Sequence, residues 1–80
     1  MAEFMIFPAK ARVHRVPQHV SAQHAAFVEP LAFSIHGVAL GTIHFNDVVV
    51  IAGCGPIGLG MVAAAKLKNP RLLIGTVLLC

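Results

Sequence analysis

Apolar and polar positions along this 80-residue chain change period several times, and each change predicts an element. Residues 4–7 form a short apolar run closed by Pro8, a candidate strand. Ala11, Arg12, Val13, His14, Arg15 and Val16 alternate apolar with polar, the period of a half-buried strand, and Pro17 ends them. Ser21 then offers a helix N-cap, with Ala25, Val28, Leu31, Ala32 and Ile35 at the three-to-four spacing of one helix face. Pro30 lies inside that pattern and predicts a kink or split near Glu29, because its ring cannot continue an interior turn. Of the stop signals Gly37 and Gly41, Gly41 is the better placed.

A second pattern begins after the turn at Asn46 and Asp47. Val48, Val49, Val50 and Ile51 are a β-branched block that reads as a strand ending at Ala52. A glycine-rich turn follows, then a helix from 56 to about 67. Pro56 sits in its first turn, where a missing N–H costs nothing. Asn69 and Pro70 end the helix, and Leu72, Leu73 and Ile74 read as a second buried strand. Strand, helix and strand in this order form a minimal βαβ unit.

The turn carries the candidate chemistry. Gly53, Cys54, Gly55, Pro56, Ile57 and Gly58 spell G-x-G-x-x-G between a strand and a helix, the context in which that motif binds a dinucleotide. Gly53 permits the tight turn, Gly55 lets backbone approach a pyrophosphate, and Gly58 permits close helix–strand packing. The helix N-terminus presents free N–H groups and a partial positive charge to the anion. The usual Asp or Glu about 20 residues further on is missing. The only acids are Glu3, Glu29 and Asp47.

Composition narrows the classes. The chain is 58% hydrophobic and 11% charged, against about 25% charged in ordinary soluble domains, which excludes disorder. Its two cysteines, one of them Cys80 at the last position, cannot build a disulfide framework. The formal charge is +3, but the basic residues split into Lys10, Arg12 and Arg15 and then Lys66, Lys68 and Arg71. With no Trp or Tyr to stack bases, this argues against nucleic acid. Residues 48–65 carry no charge and reach the lower length limit of a spanning helix, yet four glycines and Pro56 interrupt them. A membrane is therefore not the expected partner. No secretory leader is legible, and a reducing cytoplasm is expected. A chain this short cannot hide so many apolar side chains by itself, and it reads as a piece of something larger.

Among lesser candidates, His14, His19 and His24 have a spacing of five that suits neither a zinc motif nor one helix face. His36 reads as a packed helix histidine and His44 as a loop residue. Cys54 reads as a small turn filler. Ser34 has no acid–base partner legible in the sequence.

Together, Val16-Pro17, Ala25-Ala26-Phe27-Val28-Glu29-Pro30-Leu31-Ala32, Ile35-His36-Gly37-Val38, Asp47-Val48-Val49-Val50 and Gly53-Cys54-Gly55-Pro56-Ile57-Gly58-Leu59 resemble the zinc-dependent medium-chain alcohol dehydrogenases, especially their polyol branch. The resemblance implies an α/β fragment. Residues 1–20 would end a GroES-like catalytic domain, 21–44 would be a connecting helical segment, and 45–80 would begin an NAD(P)-binding Rossmann domain. It implies Glu29 as a zinc-site residue, with the remaining ligands upstream, and Gly53, Gly55, Pro56, Ile57 and Gly58 as cofactor-binding residues. In the complete family the cofactors are NAD(P) and zinc, the substrate is a small polyol or alcohol, and the enzymes are usually homo-oligomers. The 80-residue chain alone is expected to be inactive and to bind neither cofactor tightly. A small membrane peptide and a strand-pairing interaction module are the alternatives.

Overall fold

A computed structural model describes residues 2–78; Met1, Leu79 and Cys80, including the terminal cysteine discussed above, lie outside the described residues. The chain is α/β. Its elements are α1 (Ala22–Ala25), α2 (Val28–Leu40), β1 (Val48–Ala52), α3 (Pro56–Lys66) and β2 (Leu72–Thr76). β1 and β2 pair in parallel, with Val48 opposite Leu72 and Ala52 opposite Thr76. A parallel pair needs a crossover, and α3 supplies it. The Asp47 carbonyl opens the pairing by accepting the Arg71 N–H at 2.9 Å.

The second half follows the sequence pattern closely. β1 spans the expected residues, α3 begins at Pro56, and its C-cap is Leu67. Asn46 and Asn69 both adopt positive φ, at 67° and 53°, where the chain reverses before β1 and after α3. The uncharged run 48–65 is thus a strand, a turn and most of an 11-residue helix. Among the described residues no helix is long and apolar enough to cross a membrane, so a continuous spanning helix over this run is not what forms.

The first half departs from expectation. Residues 4–7 and 11–16 form no strand, and Phe4, Ile6 and Val13 are exposed. A strand exists only with a partner, and the sheet holds β1 and β2 alone among the described residues. Ser21 does cap α1, accepting the His24 N–H at 3.2 Å. The break expected near Glu29 falls earlier, at Ala26 and Phe27. Pro30 explains this, because its absent N–H and its ring act on the carbonyl four residues back, that of Ala26. α2 ends with Gly41 as its C-cap, as expected, but the left-handed residue is Thr42, at φ 46°.

Which helix face is buried also differs from the pattern. Val28 and Ile35 are exposed, whereas Ser34 and Val38 are the buried residues of α2. α2 meets α3 through small residues. A Cβ on Gly60 would lie 2.5 Å from Ser34 Oγ, and one on Gly37 would lie 2.7 Å from the Met61 terminal methyl. So close an approach is available only where side chains are absent or minimal. The core is Val38, Ile51, Ala64 and Ala65, with Ile43, Val49, Met61, Val62 and Leu73 packed against it. β2, expected to be buried, is half-buried at Leu73 only. Helices cover one face of the sheet, and Leu72 and Ile74 point to the other.

Candidate functional site

The strand–turn–helix junction at 52–59 is built by three glycines with three different tasks. Gly53 adopts φ +90°, which a residue with a Cβ reaches only at a cost of about 1–2 kcal/mol. That conformation turns the chain sharply out of β1. Gly58 is buried, and a Cβ there would run into the Gly53 carbonyl oxygen. The first turn of α3 therefore lies directly against the turn that precedes it. Gly55 is the extended N-cap of α3, and a Cβ there would meet nothing within 4 Å. Its backbone borders open space.

The junction is tied to the end of β2. The Thr76 carbonyl accepts the N–H groups of Gly53 at 3.1 Å and Cys54 at 2.9 Å. The Gly53 N–H also lies 3.3 Å from Thr76 Oγ1. Cys54 is half-buried, and its Sγ fills the position a Gly75 side chain would take. It is a small filler of the turn, as the sequence suggested.

What remains free is a set of donors. No side chain caps α3, its first turn holds no acid, and Pro56 has no N–H to satisfy. The Gly55 carbonyl is taken by the Leu59 N–H at 2.8 Å. The N–H groups of Gly55, Ile57 and Gly58 have no acceptor among the described residues. Unpaired first-turn N–H groups beside an open glycine, at the positive end of a helix dipole, are donors of the kind that can hydrogen-bond an oxyanion.

The structure does not bring the other candidates together. Glu29 is exposed in the first turn of α2. His14, His19 and His24 are exposed and separate, and no three His, Cys, Asp or Glu side chains group together among the described residues. His36, expected to be packed, is exposed, because the inward face of α2 is that of Ser34 and Val38. His44 is a loop residue whose backbone N–H donates to Asp47 Oδ2 at 2.7 Å.

Two residues that no motif marks turn out to hold the junction: Thr76, through the bonds above, and Ser34. Ser34 is fully buried, with its hydroxyl 2.8 Å from the Ile57 carbonyl oxygen and 2.9 Å from that of Pro30. The only signal toward Ser34 was the run of small residues Ser34, Gly37 and Gly41 on one side of α2.

Comparison with known proteins adds an independent line. The chain is 57% identical over 74 residues to an erythritol/L-threitol dehydrogenase of Mycolicibacterium smegmatis, covering 92% of this chain and 20% of that protein. A D-xylulose reductase of Scheffersomyces stipitis is 44% identical over 52 residues, covering 65% of this chain and 14% of its own. A sorbitol dehydrogenase of Halalkalibacterium halodurans is 39% identical over 62 residues, 78% of this chain and 18% of its own. The chain spans about a fifth, or less, of the length of these relatives. No family model and no solved structure matches it.

Proposed function

We infer, for a chain that belongs to the polyol branch of the zinc-dependent medium-chain alcohol dehydrogenases, that its work is to hold the pyrophosphate of NAD(P). In this reading residues 45–80 begin the Rossmann domain, 21–44 connect it, and 1–20 end a GroES-like domain. Gly53, Gly55, Pro56, Ile57 and Gly58 are the cofactor-binding residues. The observation that carries the reading is the open space at Gly55 beside the unpaired N–H groups of Gly55, Ile57 and Gly58. Gly53 and Gly58 shape the turn, Pro56 starts the helix without competing as a donor, and Ile57 and Gly58 donate.

The residues present fit a dinucleotide phosphate. The chemistry the dinucleotide supplies is acceptance of a hydride from the carbinol carbon of a secondary alcohol. Relatives named for erythritol, threitol and sorbitol support a small polyol as the alcohol. Zinc is different. Catalytic zinc sites, those of alcohol dehydrogenases included, use about three protein ligands. Glu29 offers one exposed carboxylate, with no group of ligands around it among the described residues. These residues do not fit the metal.

Calorimetric titration with NAD⁺ and NADP⁺ tests the reading. The chain is expected to bind one of them saturably. Gly55→Val, whose side chain fills the open space without touching the packed side of the turn, is expected to lose that binding at an unchanged unfolding midpoint. Equal affinity in the two proteins would sink it.

A further inference from the structure

We propose that Ser34 is a positioning residue for the phosphate cradle, acting through the peptide that joins Ile57 to Gly58. The proposal rests on the dinucleotide reading above and deepens it. Ser34 lies on α2, outside the glycine motif and 23 residues from its partner in sequence. Its side chain is fully buried between α2 and α3, and Gly60 leaves it room by having no Cβ.

The hydroxyl has a single proton and two carbonyl acceptors within reach. Pro30 belongs to its own helix, at 2.9 Å, and Ile57 to the facing helix, at 2.8 Å. The bond to Pro30 is the ordinary back-bond of a helical serine and links nothing new. The bond to Ile57 crosses between helices and ends on the first turn of α3. That carbonyl shares a planar peptide unit with the Gly58 N–H. Fixing the orientation of the C=O therefore fixes that of the N–H. A donor on the carbonyl also polarises the unit, which strengthens the N–H as a donor in turn.

The Gly58 N–H is one of the donors with no acceptor among the described residues. Ser34 thus reaches the anion site through one peptide plane without touching the anion. The bulk of the contact is set by Ser34 and Gly60 together, so the hydroxyl can be removed with little change in packing volume.

The test uses the whole chain, NAD⁺ and inorganic pyrophosphate as probes, and amide spectra assigned by NMR. Ser34→Ala is expected to weaken binding of both probes roughly fivefold, the scale of one net hydrogen bond, and to move the Gly58 amide resonance before any ligand is added. Val38→Ala removes core packing on the same helix away from the cradle. It is expected to lower stability while leaving affinity and the Gly58 resonance unchanged. If Ser34→Ala is too unstable to titrate, Ser34→Cys gives the same contrast with a much weaker donor.

Unchanged affinity and an unmoved Gly58 resonance in the serine variants would overturn the proposal while leaving the dinucleotide reading intact. So would an equal affinity loss in Val38→Ala. Failure of the unsubstituted chain to bind either probe would instead remove the dinucleotide reading, and the role of Ser34 with it.

Discussion

Gly53, Gly55 and Gly58 look equivalent in a motif but differ in what a methyl group would meet. At Gly58 it meets backbone, which cannot move aside as a side chain can. Gly58→Ala is therefore expected to destabilise the chain by about 1–3 kcal/mol, the usual cost of overpacking, read as a lower urea midpoint. Gly55→Ala meets open space and should stay within about 0.5 kcal/mol of the parent. The spacing of the glycines is legible in one dimension, and so are the turn at Gly53 and the close packing at Gly58. Ser34 and Thr76 are not, because the groups they hold lie 23 residues away. A serine in a helix and a threonine at a strand end have ordinary local explanations until the fold brings their partners near.

Elements are legible where local pattern and partner lie close together. β1, α3 and β2 follow one another, so the strand that completes β1 is reached through a single crossover. Residues 4–7 and 11–16 carry strand-like patterns with nothing to pair against among the described residues, and alternation alone does not make a strand. In α2 the apolar period pointed at Val28 and Ile35, while the closest packing selected the small residues Ser34 and Gly37. Helices in contact this tightly are organised by where side chains are missing, which a search for apolar stripes overlooks. The break between α1 and α2 is attributed to Pro30. Pro30→Ala is accordingly expected to restore an N–H for the Ala26 carbonyl and merge the two helices, seen as an amide at position 30 protected from exchange. Ser21→Ala should cost about 1 kcal/mol and appear as faster amide exchange at His24, whose N–H loses its acceptor.

At the scale of the whole molecule, the apolar excess becomes exposed surface. The radius of gyration is 16.1 Å, where a compact domain of this length would have about 12 Å. Phe4, Ile6, Phe45 and Leu67 are each at least 87% exposed, and among the described residues both strands of the sheet keep an open edge. Open edges and bare apolar surface favour association. The purified chain is expected to bind the dye ANS strongly and to sediment more heavily than a monomer. A single defined oligomer, in place of a broad distribution, would favour the strand-pairing reading. Among the described residues no three His, Cys, Asp or Glu side chains gather into a metal site.

Amide-resolved NMR titration with NAD⁺ reads out whether the junction at Gly53–Gly58 receives a pyrophosphate, as proposed. The expected result is a set of saturable shifts concentrated at Gly55, Ile57 and Gly58, reproduced in part by inorganic pyrophosphate and absent in Gly55→Val. Shifts scattered over the exposed apolar surface, or none at these three amides at saturating NAD⁺, would contradict it.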